Sequence, residues 1–360
     1  MACLYLVRHA MAEPAGSVCA GCRTDGPLTA EGQAQARAAR AWVQGMRPAP
    51  VYASPLRRSR ETARLLAGPD GEIRVRRALR ELDMGEWDGK RFADIRAQYP
   101  ELYAARGENQ ALMPPGAESF PAAAARMSRT LAAIAAPLNE QEERVVVSHS
   151  GAIRAFLCRI TGLPYRQNRR LALPYGGICA VEYGLAGWRC LQAGVPASQL
   201  PDPPAIEALW RACGAGEPAR LHGETVARVA VRICRRLAAA GLVLDEDLVR
   251  TAALLHDLCR HQPHHPQAAA RLLRRSGYFR LAAVVALHEE GGDWPEPNEE
   301  GLVFLADKLV QGCEETTIPA RFAKSRDKCR TPEALAAHER RLNRALRLEQ
   351  ICRARTGGAL

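Results

Sequence analysis

The sequence predicts two domains of different class: an α/β domain with a three-layer sheet over residues 1–195, then an all-α domain over residues 218–360. A linker and leading helix at 196–217 join them. Three observations carry this. Short apolar runs alternate with helix-period segments up to about residue 195. GVPASQLPDPP then places four prolines in eleven residues, a linker composition. Beyond it strand patterns stop and one helix-period segment follows another.

In the first half, CLYLVR (3–8) is apolar enough for a buried strand, and TAEGQAQARAARAWVQGM (29–46) is Ala-rich and helical. PVYASP (50–55) reads as a strand and SRETARLLAG (59–68) as a helix ending at glycine. EIRVRR is a further strand. ERVVVSHSG (143–151) is the clearest strand, and the helix AIRAFLCRI follows it. GGICAVEYG and GWRCLQAG form a closing pair of strands. In the second half, PAIEALWRACG, GETVARVAVRICRRLAAAG, DEDLVRTAALLHDL, HPQAAARLLRRSG, RLAAVVALHEE, EEGLVFLADKLVQG and PEALAAHERRLNRALRLEQICRAR all carry helix-period apolar residues.

Composition narrows the function. The chain has 360 residues, 47% hydrophobic and 25% charged, the balance of a globular protein. No apolar stretch reaches the roughly 20 residues of a membrane span. The opening MACLYLVRHA lacks a basic segment ahead of a long apolar core, so neither a signal peptide nor a transmembrane helix is expected. Twelve cysteines spread along the chain point to reduced thiols and a cytoplasmic location. Cys19 and Cys22 make a lone CxxC, read as two thiols in a solvated loop. Net charge is +11, and residues 1–195 hold 26 Lys and Arg against 18 Asp and Glu. Small anionic substrates account for that excess. The basic residues are scattered and not interleaved with aromatics, so no specific nucleic-acid partner is expected.

Four stretches carry the chemistry of the first half. Val7-Arg8-His9 ends a strand on an imidazole, at the sheet edge where α/β proteins bind ligands. SPLRRSRETA (54–63) sets Arg58 at a helix start, LRELDMGEWDG (79–89) contains Glu81, and VVVSHSG (145–151) ends on His149. A neutral imidazole can attack a phosphoryl group, and cations must then face its oxygens. Residues 1–195 hold only two histidines, and both fall in these stretches. Together with DGPLTAEGQAQA (25–36), these motifs resemble the histidine phosphatase superfamily, of phosphoglycerate-mutase-like fold, with Ala10 where that family usually has Gly. The resemblance implies His9 as nucleophile through a phosphohistidine, Arg8, Arg58 and His149 as ligands of the phosphoryl oxygens, Glu81 as proton donor to the leaving group, and no metal. Neighbouring arginines should also depress the His9 pKa. Glu81 and His149 are 68 residues apart. Mutases of the family usually carry more chain there, so a phosphatase is expected. GCRTDGPLT (21–29) resembles the α-ribazole phosphatase branch.

The second half holds the other seven histidines, six of them between 222 and 288. LHGETVARVA sets His222 at a helix start. LLHDLCR pairs His256 with Asp257 near a helix end, where both could reach one ion. His265 precedes Pro266, VALHEE offers His288, and FLADKL offers Asp307. This order resembles the HD superfamily of metal-dependent phosphohydrolases, over about residues 218–315. The resemblance implies that His222, His256, Asp257 and Asp307 hold one divalent ion and that His265 and His288 complete a second, with Asp257 bridging. N/O ligands without thiolate suit Fe, Mn or similar ions. A metal-activated hydroxide would attack phosphorus in a nucleotide or related ester. His261 and His264 read as solvated loop residues, and His338 as a surface helix residue. The chain therefore reads as a bifunctional phosphohydrolase. The alternative is a single working phosphatase whose HD domain binds a metal or nucleotide as a regulatory module. In either case the partners expected are small phosphorylated substrates.

Overall fold

A computed structural model describes residues 1–14, 16–44, 46 and 49–360. The chain divides into two compact units, Met1–Ala197 and, apart from Arg275–Gly277, Ser198–Leu360.

Unit 1 is built on a six-stranded sheet of β1 (Ala2–Arg8), β2 (Val51–Ala53), β3 (Ile73–Val75), β4 (Glu143–Ser148), β5 (Ile178–Gly184) and β6 (Gly187–Val195), in the order β3-β2-β4-β1-β5-β6. The first four strands are mutually parallel; β5 and β6 return antiparallel as a hairpin. Helices α1 (Ala30–Gln44) and α2 (Arg57–Ala67) pack on each other, and so do α5 (Phe120–Ala135) and α6 (Ser150–Thr161). Strand alternation shows that these pairs cover opposite faces. Leu4 and Leu6 of β1 enter one core with Met127, Leu131 and Phe156 of α5 and α6, while Tyr5 meets the Trp42 ring of α1 edge-on at 5.7 Å. The result is the three-layer α/β architecture that the alternating pattern predicts.

Parallel pairing of β1 with β4 sets Arg8 opposite Ser148. The next residues, His9 and His149, therefore leave the sheet side by side at its carboxyl edge. Three helices lie outside the sequence reading: α3 (Phe92–Gln98), α4 (Pro100–Glu108) and α5. Helix α5 carries a local start marker, Ser119, whose side chain accepts from the Ala122 N–H ahead of the apolar run. Gly45, within the predicted helix 29–46, lies outside the described residues.

Unit 2 is helical: α7 (Pro203–Cys213), α8 (Glu217–Ala239), α9 (Glu246–Leu255), α10 (His265–Arg275), α11 (Phe279–Leu287), α12 (Glu299–Lys308), α13 (Ile318–Arg326) and α14 (Pro332–Arg355). Helix α12 is buried along its length from Gly301 onward and packs against α8, α9, α11 and α14. Helix α8 lies close on α9, where a Cβ on Gly223 would stand 2.4 Å from the Leu254 carbonyl oxygen. The expectation of no strand here is corrected by a two-stranded hairpin of β7 (Val310–Gln311) and β8 (Glu314–Glu315). Helix α8 also starts at Glu217, so His222 lies inside its second turn rather than at the start.

Among the described residues no helix is long and apolar enough to cross a membrane. The expectation of reduced thiols needs correcting at one pair. Cys213 and Cys259 are joined, because the end of α7 and the turn after α9 bring their Cα atoms to 5.7 Å. Cys19 does not lie in a solvated loop either. It is buried against Trp87 and Ile95, and burial pushes its thiol up to about 11.

Candidate active sites

In unit 1, His9 follows directly on β1. Its N–H donates to the Ser148 carbonyl at 2.9 Å, and Ala10 donates to Thr62 Oγ1 at 3.1 Å. The ring is buried, and its Nδ1 faces the Ala10 carbonyl at 2.8 Å. A carbonyl can only accept, so Nδ1 carries the proton and Nε2 keeps its lone pair. Burial first, then the Arg58 and Arg8 charges, push His9 down to about 3. The sequence reading anticipated the arginines but not the larger effect of burial.

Three cationic or polar groups surround this imidazole. The His149 ring lies 5.0 Å from that of His9, and its Nε2 meets Ser54 Oγ at 2.7 Å. Burial, followed by the neighbouring His9 and arginine charges, holds His149 well below its ordinary value. Arg58 is buried and anchored to the Thr24 carbonyl (2.7 Å), the Gly21 carbonyl (3.0 Å) and Asp25 (3.2 Å). Arg8 donates to the Leu173 carbonyl at 2.7 Å and stacks on the Tyr175 ring at 3.7 Å. Arg8 Nε and His149 Nδ1 are buried without a hydrogen-bond partner. Buried polar atoms are rarely left unpaired, so two of them beside one imidazole mark a place for an oxygen-rich ligand.

Glu81 is held differently. Its carboxylate accepts from the N–H groups of Leu82 (3.0 Å), Gly151 (3.0 Å) and Ala152 (2.9 Å), at the start of α6. A Cβ at Gly151 would stand 2.7 Å from Glu81 Oε1, so the glycine admits the carboxylate. Arg126 grips the chain around it through the Ala78, Arg80 and Glu81 carbonyls, with Glu118 as its counter-ion. Arg126, Ser54, Tyr175 and Asp25 escaped the sequence reading. Arg126 could not have been found there, since it belongs to a helix that went unrecognised and acts across 45 residues of chain.

In unit 2 the structure brings all six candidate ligands together. Adjacent His256 and Asp257 follow α9 in a turn, which lets both side chains face one centre. Asp257 divides its oxygens: Oδ2 faces His222 Nε2 (3.8 Å) and His256 Nε2 (3.6 Å), and Oδ1 faces His265 Nε2 (3.2 Å) and His288 Nε2 (3.6 Å). Asp307 Oδ1 joins the first group, 3.3 Å from His222 and 3.6 Å from His256. Burial opposes the charge of Asp257, but His256 and the contacts from His265 and His288 hold it well below the usual carboxylate range.

This donor set fits divalent ions. His222, His256 and His288 each turn Nδ1 to a backbone carbonyl, of Gly312 (2.6 Å), Ala253 (2.7 Å) and Val285 (2.7 Å). That fixes the tautomer and aims each Nε2 lone pair inward. His256 Nε2 is buried with no hydrogen-bond partner. Two triads, His222–His256–Asp257 and Asp257–His265–His288, meet the spacing of metal ligands. Three cations also sit on the carboxylates: Arg260 on Asp257 (2.7 Å), and Lys308 (2.7 Å) and Arg321 (3.0 Å) on Asp307. Cavities of about 710 and 490 Å³ open on Asp257, and both are bordered by Arg260, Arg321 and Lys328.

His261 and His264 are exposed and belong to neither triad. The reading of His338 as a surface residue is corrected: it is buried, with Nε2 against Ser325 Oγ (2.9 Å) and the Phe322 carbonyl (3.2 Å). Cys22 lies near Asp83 and Asp88, but Arg23, Thr24 and the Gly21 N–H already engage those carboxylates.

The family model "Histidine phosphatase superfamily (branch 1)" matches residues 4–195, and that of the HD domain matches residues 222–311. The chain is similar to the "Probable phosphoglycerate mutase GpmB" of Enterobacter sp. (strain 638), 32% identical over 217 residues, 58% of this chain and 99% of that protein. Its namesake in Salmonella paratyphi C (strain RKS4594) is 31% identical over 216 residues, again 58% and 99%. Among solved structures, mycobacterial glucosyl-3-phosphoglycerate phosphatase matches at 28% identity, over 53% of this chain and 98% of that one, with a TM-score of 0.48. YhfR of Bacillus stearothermophilus matches at 22% identity, over 54% and 97%, with a TM-score of 0.50.

Proposed function

Because the chain belongs to the histidine phosphatase superfamily through residues 4–195 and continues into an HD domain over residues 222–311, we propose that it is a bifunctional phosphohydrolase with two independent chemistries. We assign residues 1–195 to the phosphatase, 196–217 to a linker and leading helix, and 218–360 to the metal-dependent domain.

The observation that carries the first activity is the pair of unpartnered atoms, Arg8 Nε and His149 Nδ1, beside His9 with a free Nε2. His9 Nε2 attacks phosphorus in line, a phosphohistidine forms, and the alcohol oxygen leaves. Arg8, Arg58 and His149 hold the equatorial oxygens, where negative charge develops. Glu81 is the proton donor to the leaving oxygen, and in the present arrangement it acts as an acceptor at every contact. Water then cleaves the phosphohistidine. The relatives named for phosphoglycerate and its glucosyl ester make a small phosphomonoester the natural substrate class.

In unit 2, divalent ions such as Fe or Mn would be held by His222, His256, Asp257 and Asp307 on one side and by Asp257, His265 and His288 on the other. The metal supplies charge neutralisation at phosphate and a more acidic water. Arg260, Arg321 and Lys328 bind the phosphates of a nucleotide or related ester from the cavity rim. A second reading draws on one observation. Arg260 on Asp257 Oδ2 and Arg321 on Asp307 Oδ1 compete with a metal for the oxygens that face the histidines. A domain so poised would bind metal or nucleotide as a regulatory module without turnover. Hydrolysis of an aryl phosphate and of a nucleotide by the full chain, with His9→Ala, Asp257→Ala and added chelator, tests both. The bifunctional reading requires that each variant abolish one activity and spare the other.

A further inference from the structure

Three of the six candidate ligands in unit 2 lie within one covalently closed segment. The Cys213–Cys259 bridge spans 46 positions of sequence. His222, His256 and Asp257 fall between its ends, while His265, His288 and Asp307 lie beyond it. The enclosed three form one of the two triads with metal-ligand spacing. The bridge thus encloses one triad whole and leaves the two histidines of the other outside.

It joins the two chain segments that lead to this triad. Cys213 is the last residue of α7, and Gly214-Ala215-Gly216 runs from it into α8, which carries His222. Cys259 stands two residues after Asp257, in the turn between α9 and α10. Both segments line the cavity of about 710 Å³ that opens on Asp257: Gly214, Ala215 and Gly216 from one end of the bridge, Leu258, Arg260 and His261 from the other. Neither segment is held by regular structure. The first offers almost no side chain for packing, and a Cβ at Gly214 would meet nothing within 4 Å. The second is shaped by local turn hydrogen bonds, from the Arg260 N–H to the Asp257 carbonyl (3.0 Å) and from the Gln262 N–H to the Cys259 carbonyl (2.8 Å). A covalent tie between them fixes the ends of the segment that presents the triad.

The fold of unit 2 does not call for this tie. Val226, Leu248, Leu281 and Phe304, from four helices, share one buried core, and a helical unit with such a core folds without a disulfide. Cys234 and Cys352 are buried in the same core and stay thiols. A single bridge beside retained thiols differs from the paired cysteines of a disulfide-built scaffold. Cys213 and Cys259 are themselves buried, but the open space beside Gly214 borders the bridge.

We propose that Cys213 and Cys259 are a redox-controlled positioning pair: bridged, they hold the His222–His256–Asp257 triad ready for a divalent ion, and a dithiol that opens the bridge weakens the hold on that ion. The control rests on the metal-site reading of unit 2. In the exchange, a thiolate of the dithiol attacks one bridge sulfur, the S–S bond breaks and a mixed disulfide forms. The second sulfur of the dithiol then displaces the protein sulfur. Cys213 and Cys259 gain two electrons and the two protons, and the dithiol leaves as a disulfide. The freed segments gain conformations that ion binding must remove again, so affinity falls.

The test titrates the metal-stripped full chain with Mn²⁺ by calorimetry, before and after treatment with dithiothreitol that is removed before the titration. Thiol counting on the unfolded chain should find two more thiols after reduction. The affinity for one Mn²⁺ should fall about tenfold or more, with helix content by circular dichroism unchanged, and recover when glutathione disulfide recloses the bridge. Cys213→Ser and Cys213→Ala should bind Mn²⁺ as the reduced chain does under either treatment, and one of them suffices if the other does not fold. His265→Ala, which keeps the enclosed triad, should retain the response. Equal affinities before and after reduction overturn the proposal and leave the metal-site reading intact. So do an unchanged thiol count, a response that persists in the Cys213 variants, and a response that is lost in His265→Ala. Loss of helix content along with affinity overturns it too, because the bridge then holds the fold rather than the triad. No Mn²⁺ bound in either state overturns the metal-site reading and this control with it.

Discussion

At the scale of single residues, the proposed first chemistry turns on His9. His9→Ala should reduce phosphomonoester turnover by about a thousandfold or more, measured as kcat with an aryl phosphate. Glu81→Gln should leave substrates with good leaving groups little changed and slow poor ones by about a hundredfold, since only poor leaving groups need a proton. The depressed pKa of His9 gives a second prediction. The folded protein resists protonating this ring until about pH 3, whereas an unfolded chain takes up the proton near 6.5. The stability this contributes is therefore complete above pH 6.5 and is lost as pH falls towards 3, by up to about 1.4 kcal/mol per pH unit. The His9 ring signals in an NMR titration should stay those of neutral imidazole from pH 8 to 5. A midpoint near 6.5 would contradict the buried, cation-flanked environment. His9, Glu81, Arg58 and His149 are legible in the sequence because each sits in a short motif of chemically reactive types. Ser54, Tyr175 and Arg126 are not, because ordinary residue types acquire their roles only through contacts that the fold makes.

At the scale of elements, the second site depends on how closely two helices approach. His222 rides on α8, and His256 and Asp257 follow α9. Gly223 lets the helices meet, with the Leu254 carbonyl where a side chain would begin. Gly223→Ala has no flexible neighbour to displace and must move backbone. It should cost about 1–3 kcal/mol in thermal unfolding and lower bound metal per chain, read by elemental analysis. His261→Ala, in an exposed turn, should change neither. Helix periodicity locates these segments well, but their ends are less legible. The reading of 223–241 misses the first turn of α8, where Pro218 near the start is the local marker. The stretch from 92 to 108 goes unrecognised because α4 has no buried residue and α3 is only seven residues long.

At the scale of the whole molecule, the two chemistries should separate cleanly. Excess chelator should abolish nucleotide hydrolysis and leave the His9-dependent reaction intact, since the nucleophile proposed there is imidazole rather than metal-activated water. Asp257→Ala should act as the chelator does. Loss of both activities in either experiment would refute the two-chemistry reading. The change from α/β to helical class along the chain is legible because strand periodicity gives way to prolines and then to helix periodicity. The Cys213–Cys259 link is not, because cysteine spacing does not report which thiols the fold brings together. The β1–β4 pairing has a consequence for motion. His9 and His149 extend adjacent strands in the middle of the sheet, and the His9 amide is itself part of the ladder through Ser148. No loop has to close to assemble this pair. Its amide should therefore be among the slowest in the chain to exchange with deuterium, opening only when the whole sheet does. Heat inactivation of the first activity should follow the cooperative melting of unit 1, with no earlier phase in which the sheet persists and the activity is gone.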